Sequence, residues 1–403
     1  MALDNTRLLT EPSVPVLLRP LMRVLRRLEY GVITIRLGEG PAHEIRGDQP
    51  GPNVHVDIRQ PLRLYWNLLA RGDIGFAESY MSGHWDTADL GGTLLFFALN
   101  EHRFSHAAAG NALVRRIQRV GHWLRRNHRR GSRRNIAHHY DLGNDFYRLW
   151  LDETMTYSCA LFTQESETLH EAQTRKYQRM LDLLEARPGQ TLLEIGCGWG
   201  GFAEHAAERG MHVDGITLSR EQLAYARERI AARQLDAQVS LQFKDYRELD
   251  TTADHIVSIE MLEAVGESYW PTYFDTLKRC LRPGGRAAIQ VITIAESAFA
   301  HYRKTPDFIQ RYIFPGGVLP TVEILQAQAA RAGLRVRALD RFGHDYARTL
   351  MAWDEHFVSA RHEIRNQGFD ERFYRMWRYY LHYCSAGFRT ERIDLVQLAL
   401  EHA

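Results

Sequence analysis

Apolar and polar residues alternate one by one through GVITIRL (31–37) and NVHVDI (53–58), a period of two that predicts short, half-buried strands. The turn-rich GEGPAHEIRGDQPGPN separates them, and helix-like spacing follows as far as Leu99. Together these predict a small α+β domain over residues 1–101. From Leu169 the pattern changes. An amphipathic EAQTRKYQRMLDLLEA stops at Pro188 and Gly189, strand TLLEI runs into GCGWGG, and helices then alternate with HVDGITL, VSLQF, HIVSIE and AAIQVITI. Strands separated by helices of about 10–15 residues mark parallel βαβ units, so this half is expected to be α/β, a doubly wound Rossmann-like sheet. The last 55 residues, aromatic-rich with FYRMWRYYLHY, are predicted to be helical.

Length and composition narrow the class. The chain has 403 residues, beyond the roughly 250–300 at which one hydrophobic core stops growing. With 45% hydrophobic and 25% charged residues, wholesale disorder is excluded. The longest plain apolar stretch, Leu94 to Leu99, falls short of the roughly 18–20 residues of a membrane span. Asp4, Arg7, Glu11, Arg19 and Arg23 interrupt the region where a signal peptide carries its apolar core. Cys159, Cys197, Cys280 and Cys384 lie far apart with no C-x-x-C pair, which suits a reducing cytoplasm and provides neither a disulfide framework nor a zinc site. His138 and His139 are adjacent and lack a third ligand nearby, so no metal is expected.

The net charge is only +2, so attraction to an anionic partner must come from how charge is distributed. Residues 102–137 form a basic amphipathic segment and linker. Arg103, Arg115, Arg116, Arg119, Arg125, Arg126, Arg129, Arg130, Arg133 and Arg134 are interleaved with Leu113, Val114, Ile117, Val120, Trp123 and Leu124. As a bare charge run this is a solvated helix face. A basic helix with an apolar side also suits an anionic lipid surface; nucleic acid is the competing partner, but the membrane is favoured and no nucleic acid is expected.

GCGWGG satisfies G-x-G-x-x-G between a predicted strand and helix, the context in which glycines let backbone approach an adenosine-bearing cofactor. Glu194, two residues before Gly196, would repel a pyrophosphate and attract the ammonium and sulfonium of S-adenosylmethionine. The second strand ends in ITLSREQ without a terminal acid, leaving Thr217 and Gln222 for the ribose. Asp245 can accept from an adenine amino group and Tyr246 can lie on the ring. S-adenosylmethionine is therefore favoured over NAD(H) or a structural turn.

Several stretches together resemble the cyclopropane-fatty-acyl-phospholipid synthases, relatives of the mycolic acid cyclopropane synthases. They are HHYDLGNDFY (138–147), MTYSCALF (155–162), LEIGCGWGGFAEHAA (193–207), GITLSREQ (215–222), SIEMLEAVG (258–266), RYIFPGG (311–317) and DYARTLMAW (345–353). GDIGFAESYMSGHWD (72–86) and YYLHYCSAGFRTERIDLVQ (379–397) extend the likeness over nearly the whole chain. The resemblance implies a class I methyltransferase domain over residues 138–403. It implies one-carbon transfer from S-adenosylmethionine to the cis double bond of an unsaturated phospholipid acyl chain, giving a cyclopropane. It also implies a cytoplasmic enzyme held peripherally on the inner face of a membrane. A homodimer is left open.

In that family a bound bicarbonate serves as base. Carried across the matching motifs, its holders become Cys159 in YSCA, Glu263 in LEAVG, Gln290, Ile292 in QVITI and Tyr346 in HDYARTL. The cofactor would be held by Tyr157, Ser158, Glu194, Gly196, Gly198, Gly200, Thr217, Leu218, Gln222, Asp245 and Tyr246. Two positions depart from the family. Gln290 stands where it has His, and Ala264 follows Glu263 where well-known members have a second His. A Gln amide donates and accepts hydrogen bonds but cannot carry a proton away. Slow proton removal favours a hydride shift, so a methyl- or methylene-branched chain is the alternative product. Taken singly, Cys159 reads as a small buried hydrophobe, and Gln290 and Tyr346 as core residues. The rival functions are a soluble N- or O-methyltransferase, an NAD-dependent oxidoreductase and a catalytically silent lipid-binding protein.

Overall fold

The computed structural model describes residue 25 and residues 27–104 and 142–403. The Arg-rich segment beyond Phe104, with His138 and His139, lies outside the described residues.

Near the N-terminus β1 (Tyr30–Leu37), β2 (Ala42–Arg46), β3 (Gln49–Ile58) and β4 (Trp85–Asp86) form a sheet in the order β2-β1-β3-β4. β1 and β3 run parallel, while β2 and β4 are antiparallel to their neighbours. Strand alternation buries Ile33, Ile35, Val54, Val56 and Ile58. β2 falls inside the stretch expected to be turns, because AHEIR itself alternates and buries His43 and Ile45. Helices α1 (Pro61–Arg71), α2 (Asp73–Met81), α3 (Leu90–Leu99) and the short α4 (Glu101–Phe104) follow. Asp89 caps α3 by accepting from Gly92 N at 2.8 Å.

After α5 (Asn144–Arg148), α6 (Leu169–Leu184) opens with a capping box between Thr168 and Glu171. Strands then alternate with helices as predicted: β5 (Thr191–Ile195), α7 (Gly201–Ala207), β6 (His212–Thr217), α8 (Arg220–Ala232), β7 (Val239–Phe243) and β8 (Ala253–Ile259). Next come α9 (Trp270–Cys280), β9 (Leu281–Ile294), α10 (Glu296–Tyr302), α11 (Phe308–Tyr312), α12 (Val322–Arg331) and β10 (Leu334–Arg341). The chain closes with α13 (Gly343–Ser359), α14 (Arg361–Asn366), α15 (Glu371–Arg389) and β11 (Ile393–His402).

The seven-stranded sheet has the order β10-β11-β9-β8-β5-β6-β7. β9, β8, β5, β6 and β7 pair in parallel, and β11 is inserted antiparallel between β9 and β10. The C-terminus was expected to be wholly helical, and its final segment corrects that reading. LVQLAL is buried on both faces of the sheet, and a run this short, apolar but for Gln397, has no period to separate strand from helix. β6 and β8 flank β5 on opposite sides, so the loops after β5 and β8 meet at the point where strand order reverses.

α13 and α15 lie beside this edge and carry fully buried Trp353 and Trp377. One apolar core runs from Ile33 and Val56 of the N-terminal sheet through Phe96 to Trp353 and Trp377. Arg375 of α15 fastens the two parts, donating to Tyr80 O at 2.6 Å and lying 3.9 Å over the Tyr80 ring.

Candidate active site

β5 delivers the chain into the glycine turn, where Gly196, Gly198 and Gly200 take φ of 93°, 50° and 82°. That left-handed backbone is open to glycine at little cost. A Cβ at Gly196 would stand 3.1 Å from the Met261 side chain, whereas one at Gly198 would meet open space. Glu194 is buried in β5, and burial pushes its carboxyl up to about 8. Its Oε2 has no hydrogen-bond partner among the described residues. A buried carboxyl left short of a donor suits a cationic ligand.

At the end of β6, Thr217 Oγ1 donates to Gln222 Oε1 at 3.1 Å and accepts from Ser219 N at 3.2 Å, with half-buried Leu218 between them. Asp245 receives both arms of Arg247, Nε at 2.8 Å and Nη2 at 2.6 Å. Tyr246 is buried edge-on to Tyr273, with centroids 5.7 Å apart. Ser158 Oγ accepts from fully buried Lys176 Nζ at 2.7 Å, and Tyr157 shares a hydroxyl contact of 2.7 Å with Tyr380. Burial pulls the Lys176 ammonium down to about 8, against the attraction of Glu260 and Glu194. The glycine turn, orphaned Glu194 and polar Thr217 and Gln222 fit S-adenosylmethionine.

The other half of the site centres on a residue that the sequence reading did not single out. Glu260 follows β8 at φ 50°, a left-handed conformation for a residue with a side chain. Such a conformation costs on the order of 1 kcal/mol or more and persists where the surroundings over-determine it. Here they do. Glu260 Oε1 accepts from Cys159 N at 2.9 Å and Gln290 Nε2 at 2.8 Å, and Oε2 accepts from the Tyr346 hydroxyl at 2.5 Å. The signal in the sequence was a carboxylate at the C-terminal end of a predicted strand, HIVSIE, where doubly wound sheets bind ligands.

Glu263 sits three residues on, in the turn Leu262–Ala264, and its Oε1 accepts from Ile292 N at 2.5 Å. Burial and the neighbouring Glu260 push Glu263 up to about 8. Glu260 is itself raised by burial, while its donors pull it back. The two carboxyls therefore titrate as a pair, with a proton held on Glu263 near neutral pH.

Cys159, Glu263, Gln290, Ile292 and Tyr346 are thus brought together, but not around a vacant anion site. The Cys159 thiol, pushed well up by burial, donates to Ala160 O at 3.0 Å, so its backbone N–H serves the cluster. Cys159 N, Gln290 and Tyr346 are all taken by Glu260, and Ile292 N by Glu263. The donors expected for bicarbonate are already engaged, and the residues present do not fit that ion.

Glu260, Glu263, Ile292 and Tyr346 are among the residues that line a cavity of about 1110 Å³. Its walls come from both parts of the molecule. Ile35, Val56, Leu64 and Ala98 belong to the N-terminal sheet and helices, and Tyr157, Phe314, Leu350 and Tyr380 to the C-terminal part. A chamber of this size, with a wall that is mainly apolar, suits a long hydrocarbon better than a small polar metabolite. Among the described residues no helix is long and apolar enough to cross a membrane, and no cluster suits a metal.

The profile of the family described as mycolic acid cyclopropane synthetase matches residues 127–398. The tuberculostearic acid methyltransferase UfaA1 of Mycobacterium tuberculosis is 41% identical over 362 residues, covering 85% of this chain and 82% of that one. The cyclopropane-fatty-acyl-phospholipid synthase of Escherichia coli strain K12 is 36% identical over 363 residues, 88% of each. Among solved structures, the mycolic acid cyclopropane synthase CmaA1 complexed with SAH and CTAB has a TM-score of 0.63. It is 32% identical and covers 68% of this chain and 98% of that chain.

Proposed function

This chain belongs to the cyclopropane synthase family of S-adenosylmethionine-dependent methyltransferases, and from that premise we propose that it methylates the cis double bond of an unsaturated phospholipid acyl chain. The observation that carries this reading is the mainly apolar cavity whose lining includes Glu260, Glu263 and Tyr346.

S-adenosylmethionine, when bound, supplies an electrophilic methyl group. Glu194 neutralises cationic charge on it, the glycine turn admits its backbone contacts, and Thr217 and Gln222 offer hydrogen bonds beside it. The cavity holds the acyl chain so that the alkene, a poor nucleophile, lies in line and close. Its apolar wall excludes water from the reacting carbons. Methylation leaves a carbocation on the neighbouring carbon of the chain. Loss of a methyl proton then closes a cyclopropane.

A second product follows from the same cation if a hydride moves before the proton leaves, giving a methylene branch. Two observations favour it: Gln290 in place of His, and 41% identity to a relative named as a tuberculostearic acid methyltransferase. We also place the protein on the cytoplasmic surface of a membrane, supported by its lipid-modifying relatives and the run of arginines from Arg103 to Arg134.

Trideuteromethyl S-adenosylmethionine, incubated with the protein and vesicles of cis-monounsaturated phospholipid, tests the reading by mass spectrometry of the released fatty acids. A gained carbon that takes up no hydrogen on mild, ring-sparing hydrogenation is a ring. One that takes up hydrogen is a branched alkene. Absence of any mass gain on lipid would overturn the reading in favour of a small-molecule acceptor.

A further inference from the structure

We propose that the base in this enzyme is the carboxylate of Glu260, a part of the chain itself, standing where a diffusible bicarbonate would be held. The inference rests on the alkene-methylating reading above and concerns its proton-transfer step.

Geometry carries it. A carboxylate offers about four lone-pair sites. Glu260 fills two on Oε1, from Cys159 N and Gln290 Nε2, and one on Oε2, from Tyr346. One site on Oε2 remains, on a residue that lines the cavity. The donors that grip this carboxylate are those on which the sequence placed bicarbonate. The left-handed backbone at Glu260 shows that the chain is bent to bring the carboxylate there. Gln290 is also explained. Between Gln397 and Glu260 it accepts from the one and donates to the other, and a titrating imidazole is not needed when the base is already covalently present.

In the methylation step the alkene π pair forms the new C–C bond as the C–S bond breaks, leaving S-adenosylhomocysteine and the cationic chain. A methyl C–H bond then breaks. Its proton passes to Glu260 Oε2, and its electron pair closes the third side of the ring, or forms the exocyclic double bond if a hydride has shifted first. Glu260 ends neutral and returns the proton to water before the next turnover. No oxidant or reductant enters. Both routes remove one hydrogen from the transferred methyl.

The test uses the full-length protein with trideuteromethyl S-adenosylmethionine and monounsaturated phospholipid vesicles, in buffer stripped of carbon dioxide and then with bicarbonate restored. Expected are a wild-type rate that is unchanged by bicarbonate and a product holding two deuteriums. Glu260→Gln should lose about a hundredfold or more in rate, while S-adenosylhomocysteine still raises its melting temperature as in the wild type. Glu260→Gly suits the left-handed backbone and leaves the donors free. Its rate should rise about tenfold or more with added formate or bicarbonate, as general-base rescue requires. A wild-type rate that falls on bicarbonate removal and recovers on its return overturns the assignment. So does a product that keeps three deuteriums, or Glu260→Gln at near wild-type rate. If the wild type puts no carbon on any lipid, the alkene reading itself has failed, and this assignment with it.

Discussion

Gln397 determines which way Gln290 faces. Arg179, on α6, can only donate, and its Nε reaches Gln397 Oε1 at 3.0 Å. Gln397 must then turn its amino group to Gln290 Oε1, at 2.8 Å, which leaves the Gln290 amino group for Glu260. A relay of two amides thus translates the Arg179 guanidinium into a donor beside the carboxylate. Gln397→Leu breaks it, leaving buried polar atoms unpaired at a cost of about 1–3 kcal/mol. The expected result is a several-fold fall in kcat, with KM for S-adenosylmethionine unchanged. Steady-state kinetics check it, and a change confined to KM would contradict the relay.

Cys159 is expected to be dispensable as a thiol. Its sulfur is buried, raised in pKa and bonded to Ala160 O, while the contact to Glu260 comes from its backbone. Cys159→Ala should keep the rate within about threefold, since the backbone donor persists. A loss of two orders of magnitude in the same turnover assay would restore a role for the sulfur.

Glu194 should bind a cation at the expense of its own proton. Held at about 8 in the free protein, it is mostly protonated at pH 7, and a ligand ammonium favours the ionised form. Titration calorimetry at pH 7 in buffers of different ionisation enthalpy should detect proton release when S-adenosylhomocysteine binds. Glu194→Gln should abolish the release and weaken binding about tenfold or more, the scale of a lost hydrogen bond to a charged group.

Glu263 gives a pH dependence of stability with a definite sign. Its folded-state value is about 8 against an ordinary 4.5, so between these limits the folded chain keeps a proton that the unfolded chain has released. Its contribution is fully present below about 4.5 and is lost as pH rises towards 8, by at most about 1.4 kcal/mol per unit. Glu263→Gln, which cannot ionise, should gain melting temperature relative to the wild type steadily from pH 5 to 8. A constant difference across that range would show that the carboxyl is not held protonated.

Ala98 of α3 lines the cavity from the N-terminal side. Ala98→Phe should shorten the acyl chains accepted while leaving S-adenosylhomocysteine binding unchanged. The chain-length profile of products from mixed phospholipid vesicles reads this directly.

The glycine turn and the alternating strands were legible because their signals are local: a period in the hydrophobic pattern, and glycines between strand and helix. Glu263, Gln290 and Tyr346 were reachable through the motifs around them. Glu260 was not, although it lies in the same SIEMLEAVG, because its importance comes from partners 101, 30 and 86 residues away in the chain. β11 was hidden for a related reason. A strand covered on both faces carries no alternation, and its neighbours β9 and β10 are known only from the sheet.

The cavity wall has one more consequence, for the fate of the positive charge. A carbocation in water is captured within moments and becomes an alcohol. In this chamber Ile35 and Val56 of the N-terminal sheet and Leu64 of α1, far along the chain from the carboxylates, supply apolar wall in place of water. The product pool should therefore be free of hydroxylated, one-carbon-longer acids. Protection against such hydration falls to the N-terminal sheet and its helices, which have no part in the proton transfer they safeguard.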